Sequence, residues 1–322
     1  MKTHILITGG AGNIGSSLAK KLAENPNYQI VIVDNLSTGS EKKIPKSIHN
    51  NVKFIKADCN NYQDIAKVFY QFPIQYVFHF AAVVGVKRTQ ENPLKVLDDI
   101  KGIENILQLS KVAGIKKFFY ASSSEVYGEP VEIPQREYST PLNSRIPYAV
   151  VKNVGECYCR SYYQEYKLSY TIFRFFNTYG PYQTTDFVIP KFLVAALNNE
   201  PITIYGDGSQ SRTFTYIDDN VDTMINIFEK NLLDNDVINI GNDEMISVLE
   251  LAQRIIKITR SKSEIVFLPP LKEGDMTRRM PDNSKMRSIL NRPLISLEEG
   301  IQKLLNNKDF LELNSISKTC VE

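Results

Sequence analysis

Tyr148 and Lys152 stand four residues apart in Tyr148-Ala149-Val150-Val151-Lys152, so on a helix they share one face. An ammonium beside a phenol favours the phenolate, and a positively charged nicotinamide close by would add to the effect. Such a tyrosine can take the proton of a sugar or alcohol hydroxyl while hydride leaves for the nicotinamide. The spacing alone is weak in a chain with 17 tyrosines, where an ordinary surface helix pair is the plain alternative.

A glycine loop supplies the context. Gly9-Gly10-Ala11-Gly12-Asn13-Ile14-Gly15 contains both G-x-G-x-x-G, at Gly10, Gly12 and Gly15, and G-x-x-G-x-x-G, at Gly9, Gly12 and Gly15. A strand before it and a helix after it make a tight turn that lets backbone approach a pyrophosphate at a helix start. Asp34 ends the next strand, 19 residues beyond Gly15, where a carboxylate can accept both adenosine ribose hydroxyls. That carboxylate repels a 2′-phosphate and no Arg follows in Asn35-Leu36-Ser37-Thr38, so NAD is expected rather than NADP. Asp58 follows a third strand at the carboxyl edge of the sheet, beside the expected adenine, with an N-cap of the next helix as its alternative role. Phe80-Ala81-Ala82 ends a fourth strand with small residues where backbone must pass close to a ligand.

The elements that must position these groups follow from the apolar pattern. His4–Thr8, Gln29–Asp34, Lys53–Ala57, Tyr76–Phe80 and Lys116–Ser122 read as short, continuously apolar strands. Helices are predicted over Ile14–Asn25, Tyr62–Gln71 and Pro93–Ala113. Continuous rather than alternating runs are expected when helices cover both faces of a parallel sheet. The fold class is α/β, a Rossmann-type doubly wound parallel sheet with a smaller C-terminal substrate-binding region. Ser169–Phe176 and Val237–Ile240 look like further strands of that sheet, and Val248–Ile258 and Leu297–Leu305 like amphipathic helices. The expected division is 1–176 for the dinucleotide-binding core with the Tyr/Lys helix, and 177–305 mainly for substrate. A core strand returns near 237–240, and a polar tail covers 306–322.

Bulk composition narrows the function classes. The 322 residues are 43% hydrophobic and 23% charged, with a net charge of +2, ordinary for a soluble globular protein and no mark of a nucleic-acid binder. Four cysteines, at 59, 157, 159 and 320, have no framework spacing, which argues for a reducing compartment. Cys157 and Cys159, two apart on a predicted helix, point to different faces. Only His4, His49 and His79 are present, so no metal site is expected. The chain shows no signal peptide and no apolar run of bilayer length, and a cytoplasmic protein without membrane partners is the expectation.

Ser122-Ser123-Ser124-Glu125-Val126-Tyr127-Gly128 lies upstream of the Tyr/Lys pair, at the end of a parallel strand. With it come Arg174-Phe175-Phe176-Asn177-Thr178-Tyr179-Gly180-Pro181 and Tyr205-Gly206-Asp207-Gly208. On this ordered series, and from about Lys2 to Leu305, the chain resembles the extended short-chain dehydrogenases/reductases of the nucleotide-sugar epimerase/dehydratase family. The resemblance implies NAD as cofactor, a nucleoside-diphosphate sugar as substrate, and a homodimer paired through the Tyr-x-x-x-Lys helix and the helix before it. It implies Tyr148 as base, Lys152 as its tuning cation, Ser123 as partner of the reacting hydroxyl and Glu125 as an acid/base candidate or a polar brace. Gly9, Gly12, Asn13, Ile14, Gly15, Asp34, Asn35, Ser37, Thr38, Asp58, Cys59, Phe80, Ala81, Ala82 and Phe175 would line the cofactor, together with Tyr148 and Lys152. Ser124, Asn177, Val188, Pro190, Tyr205, Arg212 and Arg278 would hold the nucleotide sugar, the arginines gripping phosphate.

What the resemblance implies about the reaction is oxidation at C4, followed by re-reduction (4-epimerase) or release of the ketone (C4 dehydrogenase). Ser124 replaces the acid that assists dehydration in 4,6-dehydratases. The Ser124–Glu125 pair and Glu273-Gly274-Asp275-Met276-Thr277-Arg278-Arg279-Met280-Pro281-Asp282 resemble UDP-glucuronate decarboxylases instead. Two departures stand out: Asn13 where the family has an aromatic residue, and Asp99 where it has Asn. A non-catalytic NAD-sensing module on the same fold is the alternative of another class, and it would not need Tyr148, Lys152 and Ser123 together.

Overall fold

A computed structural model describes residues 2–270 and 279–316. The chain divides into two compact units. The first comprises Met1–Gly128, Leu142–Phe175 and Val221–Asn239, and the second Glu129–Pro141, Phe176–Asn220 and Ile240–Glu322.

The first unit is built on a seven-stranded sheet. Its strands are β1 (Thr3–Thr8), β2 (Tyr28–Asp34), β3 (Val52–Lys56), β4 (Tyr76–His79), β5 (Lys117–Ser123), β6 (Tyr170–Phe175) and the strand Asp236–Ile240. β3, β2, β1, β4, β5 and β6 lie side by side in that order, all paired in parallel, with Asp236–Ile240 beyond β6. Ile5, Leu6, Ile7, Ile30, Val31, Ile32, Val33 and Val77 are fully buried on both faces, which is why these strands read as unbroken apolar runs. The strand order reverses between β1 and β4, so a crevice opens at their carboxyl ends, where Gly9 and Phe80 leave the sheet.

Helices α1 (Asn13–Leu22), α2 (Tyr62–Gln71), α3 (Val86–Glu91), α4 (Pro93–Leu97), α5 (Asp99–Ala113) and α6 (Pro147–Tyr166) belong to this unit. Pro147 opens α6, where its missing N–H costs nothing. Gly114 closes α5 in the left-handed region at φ 61°. The single helix predicted over Pro93–Ala113 is instead broken at Asp98. The carboxylate of Asp99 accepts a hydrogen bond from the backbone N of Val83 (2.7 Å), a tertiary contact that starts a new helix there.

The second unit contains α7 (Val188–Leu197), the first turn of α8 (Ile217–Glu229), α9 (Val248–Thr259), α10 (Ser284–Leu290), α11 (Leu297–Leu305) and α12 (Lys308–Leu313). Three two-stranded pairs accompany them: Thr178–Tyr179 with Thr215–Tyr216, Ser211–Thr213 with Met245–Ser247, and Ile202–Tyr205 with Ile265–Leu268. Ser247 and Ser296 cap α9 and α11 by accepting from Glu250 N and Glu299 N, the serine half of a capping box. The start of the polar tail forms α12, which buries Phe310 and Leu311 and receives the Tyr182 hydroxyl on Asp309 (2.8 Å). Among the described residues no helix is long and apolar enough to cross a membrane.

Candidate active site

The glycine loop is set by close packing as much as by turn geometry. Gly9 sits at φ 66°, and a Cβ there would lie 2.6 Å from Ala81 N and 2.8 Å from the Phe80 carbonyl carbon. A Cβ at Gly15 would lie 2.5 Å from Gly9 O, so α1 can start this close to β1 only without a side chain. Gly12, the residue before α1, offers no side-chain cap, and the first turn carries no acidic residue. The opening amides of α1, which include Asn13 and Ile14, therefore receive no side-chain cap from Gly12. Asn13 Oδ1 is buried with no hydrogen-bond partner.

Asp34, 9% exposed, accepts from Ala11 N (3.0 Å) on one oxygen and from Leu36 N (2.8 Å) on the other. Gly39 packs against both oxygens, with a hypothetical Cβ 2.8 Å and 2.9 Å away. Asn35 donates to Asp58 Oδ2 (3.1 Å), and Asp58 Oδ1 accepts from Asn60 N (2.9 Å). Asp58 is not the cap of α2, because Asn61 accepts from Gln63 N and Asp64 N in that role. Ser37 is exposed and its N–H goes to Asn35 Oδ1 (2.9 Å), while Thr38 is half-buried. Cys59 is buried, and burial pushes its thiol well above the ordinary range. Phe80, Ala81 and Ala82 are half-buried, and the rings of Phe80 and Phe175 lie 6.2 Å apart. Uncapped helix amides, a carboxylate and an orphaned amide oxygen are a donor and acceptor set whose chemistry fits the pyrophosphate and ribose hydroxyls of a dinucleotide.

On α6, Tyr148 is half-buried and Lys152 is 4% exposed. Lys152 Nζ donates to Ala121 O (2.8 Å) and lies 5.6 Å from the ring centroid of Tyr148 and 5.5 Å from that of Tyr120. Burial pulls the ammonium down to about 8, opposed by the charge of Asp99. A Cβ at Gly155 would overlap the Tyr120 hydroxyl, so this glycine is what admits the Tyr120 ring beside Lys152. Cys157 and Cys159 of the same helix point opposite ways, the first exposed and the second buried.

The serine run at the end of β5 separates into three environments. Ser122 donates to Glu156 Oε1 (2.7 Å) in the interior. Ser123, 9% exposed, caps the short 3-10 turn Ser124–Tyr127 by accepting from Glu125 N (3.2 Å). Ser124 is 1% exposed and Glu125 half-buried.

Behind them lies a network that sequence reading did not single out. Glu156, fully buried, accepts from Arg174 Nε (2.8 Å) and Nη2 (2.7 Å) and from Arg160 Nη2 (2.9 Å). Arg174 also donates to the Tyr127 hydroxyl (2.9 Å), which donates to Asn239 Oδ1 (2.7 Å). The available signal was spacing: Glu156 follows Lys152 by four residues on the same helix and so continues the Tyr148–Lys152 face.

The predicted sugar-side residues of the second unit occupy separate elements. The Asn177 carbonyl accepts from Thr215 N (2.9 Å), and its side chain is half-buried. Val188 opens α7 half-buried, and Pro190 is buried within it. Tyr205, 41% exposed, ends its strand with Lys191 Nζ 5.4 Å from its ring centroid. Arg212 is 8% exposed, and its Nη1 donates to Ser211 O (2.8 Å). Arg278 lies outside the described residues.

The reversal of strand order at a glycine-started helix, with a Tyr/Lys helix following β5, defines a dinucleotide-binding α/β enzyme of the Rossmann class. The model of the NAD dependent epimerase/dehydratase family matches residues 5–241, and the chain belongs to that family. It is 35% identical over 320 residues to the UDP-N-acetyl-alpha-D-glucosaminuronate decarboxylase of Bacillus cytotoxicus, a match covering 95% of this chain and 97% of that protein. Among solved structures, UDP-glucose 4-epimerase with UDP-glucose from Thermotoga maritima superposes with a TM-score of 0.88 at 33% identity, covering 98% of this chain and 99% of that one. The UDP-glucose 4-epimerase of Thermus thermophilus in complex with NAD gives a TM-score of 0.86 at 26% identity over 97% of this chain and 99% of that one. The protein is an NAD-dependent enzyme of the extended short-chain dehydrogenase/reductase group, whose members similar to this chain are nucleotide-sugar epimerases, decarboxylases and dehydratases.

Proposed function

We propose that the protein oxidises a nucleoside-diphosphate sugar at C4, giving a 4-keto species that is either re-reduced, as in a 4-epimerase, or released, as by a C4 dehydrogenase. The observation that carries this reading is the buried Lys152 ammonium, anchored on Ala121 O and 5.6 Å from the centroid of the Tyr148 ring. A cation fixed there favours the phenolate, so Tyr148 takes the proton of the C4 hydroxyl. Ser123 accepts from Glu125 N, which leaves its own O–H to donate to the reacting oxygen. The chemistry that bound NAD supplies is a two-electron acceptor for the C4 hydrogen.

NAD is held by Gly9, Gly12, Asn13, Ile14 and Gly15 around the pyrophosphate, and by Asp34, Asn35, Ser37, Thr38, Asp58 and Cys59 on the adenosine side. Phe80, Ala81, Ala82, Phe175, Tyr148 and Lys152 line its nicotinamide end. Ser124, Asn177, Val188, Pro190, Tyr205, Arg212 and Arg278 are the residues we assign to the nucleotide sugar, the guanidinium groups suiting its diphosphate by their chemistry. We further expect a cytoplasmic homodimer paired through α5 and α6.

A second reading, decarboxylation of a nucleotide-linked uronic acid, is favoured by the similarity to the Bacillus cytotoxicus decarboxylase and by Glu125 beside Ser124. In both readings the C4 oxidation comes first and Glu125 serves as the auxiliary acid or base. Dehydration is disfavoured because Ser124 offers no acid. An NAD-sensing module would have no use for Tyr148, Lys152 and Ser123 together. The test is to assay the purified full chain with UDP-, GDP-, dTDP- and CDP-sugars, following cofactor absorbance and product mass. An unchanged mass marks an epimerase, net cofactor reduction a dehydrogenase, and loss of carbon dioxide the second reading. No turnover with any sugar, by a chain that binds NAD, would favour the sensor.

A further inference from the structure

We propose that the buried Glu156–Arg174 pair fixes the Ser123–Glu125 turn against the helix that carries Tyr148 and Lys152, with Tyr127 as the positioning residue whose hydroxyl joins them. The proposal rests on the reading above, in which Tyr148, Ser123 and Glu125 act on one substrate. The turn has little strength of its own. It is a single 3-10 turn, Ser124–Tyr127, with Gly128 N bonded to Glu125 O (3.1 Å) and Glu125 N bonded to Ser123 Oγ (3.2 Å). The hydrogen bonds of such a turn are poorly aligned, so its shape must be set from its two ends.

Both ends lead to one carboxylate. Just before the turn, Ser122 Oγ donates to Glu156 Oε1 (2.7 Å). At its close, the Tyr127 hydroxyl accepts from Arg174 Nη1 (2.9 Å), while Arg174 Nε and Nη2 hold the two oxygens of Glu156 (2.8 and 2.7 Å). Because that hydroxyl accepts from Arg174, its single proton goes to Asn239 Oδ1 (2.7 Å), and the chain of donors runs in one direction. The guanidinium carbon also lies 5.0 Å from the centroid of the Tyr127 ring. All five side chains are buried, so water does not compete for these bonds. A buried ion pair adds little net stability over apolar side chains of the same volume. What this one adds is geometry: two parallel bonds to Glu156 fix the guanidinium plane, and its third nitrogen then fixes Tyr127. Glu156 belongs to α6, eight residues after Tyr148 and four after Lys152, so the turn and the Tyr/Lys helix share one fork. Between the two ends sits Ser123, whose hydroxyl direction follows from where Glu125 N–H points. Freeing Tyr127 frees that N–H, and with it the direction of the Ser123 hydroxyl.

The experiment uses Tyr127→Phe in the full chain, which keeps the ring beside Arg174 and removes only the hydroxyl. Amide hydrogen exchange, resolved by residue, should show Glu125 and Gly128 exchanging about tenfold faster or more, with the amides of β1 and α1 unchanged. Calorimetry should find NAD affinity unchanged. Asn239→Leu breaks the same chain of bonds from its other side and should accelerate the two amides by about threefold or more. The double variant should exchange no faster than Tyr127→Phe alone, because both remove one shared bond. On whichever nucleotide sugar the parent converts, Tyr127→Phe should lower kcat by about 10- to 100-fold with KM within about threefold. Exchange at Glu125 and Gly128 within about twofold of the parent would overturn the proposal. So would an acceleration spread evenly over β1, β5 and α6, which marks general loss of stability, or faster exchange of the turn with kcat unchanged. Should Tyr127→Phe fail to fold, Asn239→Leu decides by the same exchange criteria. No substrate enters the exchange measurement, so a parent chain without turnover would count against the catalytic reading and not against this one.

Discussion

Replacing Glu156 by Gln isolates one charge in the network that backs the β5 serines. Glu156 is fully buried and receives donors from Ser122, Arg160 and two nitrogens of Arg174, itself 1% exposed. Gln can still accept from Ser122 and Arg174 Nε, but its amide NH2 then faces Arg174 Nη2 and Arg160 Nη2, donor against donor. Arg174 is left as a buried cation without its counter-charge, which costs about 3–5 kcal/mol. Adding Arg174→Met removes that stranded charge, so the double variant should lose less than Glu156→Gln alone, with a coupling of about 2 kcal/mol or more. Urea unfolding of the full chain followed by circular dichroism measures this, because the chain has no Trp for fluorescence. The pH dependence has a definite sign. Burial raises the Glu156 acid, but hydrogen bonds and charge from Arg174, with Ser122 and Arg160, more than offset it and leave it below its ordinary 4.5. The stabilisation is therefore full above 4.5 and is lost as pH falls through the lower folded value, so the gap between parent and variant should narrow in acid. A Glu156→Gln loss under about 1 kcal/mol at neutral pH, or a gap that does not narrow, would refute the reasoning.

Three other outcomes follow from the geometry. Gly9→Ala puts a Cβ 2.6 Å from Ala81 N at a φ of 66°, so calorimetry should find NAD binding weakened by about tenfold or more, with a lowered melting temperature. Asp34→Asn removes the charge that serves ribose hydroxyls, and NAD affinity should fall by about 10- to 100-fold while NADP gains relative to it. His79, bonded to Thr8 Oγ1 at 2.7 Å, is held down to about 3 by burial and by Lys152. Its folded value lies below the ordinary 6.5, so its stabilising share is full above 6.5 and is lost as pH falls from there toward 3. Replacing His79 by Gln should flatten that part of the stability–pH curve, measured by urea unfolding between those limits.

The parts of the molecule legible in sequence were those set by local rules. Unbroken apolar runs marked β1, β2 and β4 because both of their faces are buried, and the glycines marked the turn from β1 into α1. Helical spacing alone placed Tyr148 and Lys152 on one face and sent Cys157 and Cys159 to opposite ones. The break at Asp98 was hidden, because it arises from a bond between Asp99 and Val83 across 16 residues while the helical pattern runs on. The Glu156–Arg174 pair was hidden for the same reason: it joins α6 to β6 across 18 residues.

The central claim is that Tyr148 removes the proton from the sugar hydroxyl under the influence of Lys152. Its most direct measurement is the turnover of Tyr148→Phe on whichever nucleotide sugar the parent chain converts, alongside NAD binding by calorimetry. The expected result is a fall in kcat of about 100- to 10,000-fold with NAD affinity unchanged. Turnover within a few-fold of the parent, with NAD still bound, would contradict it.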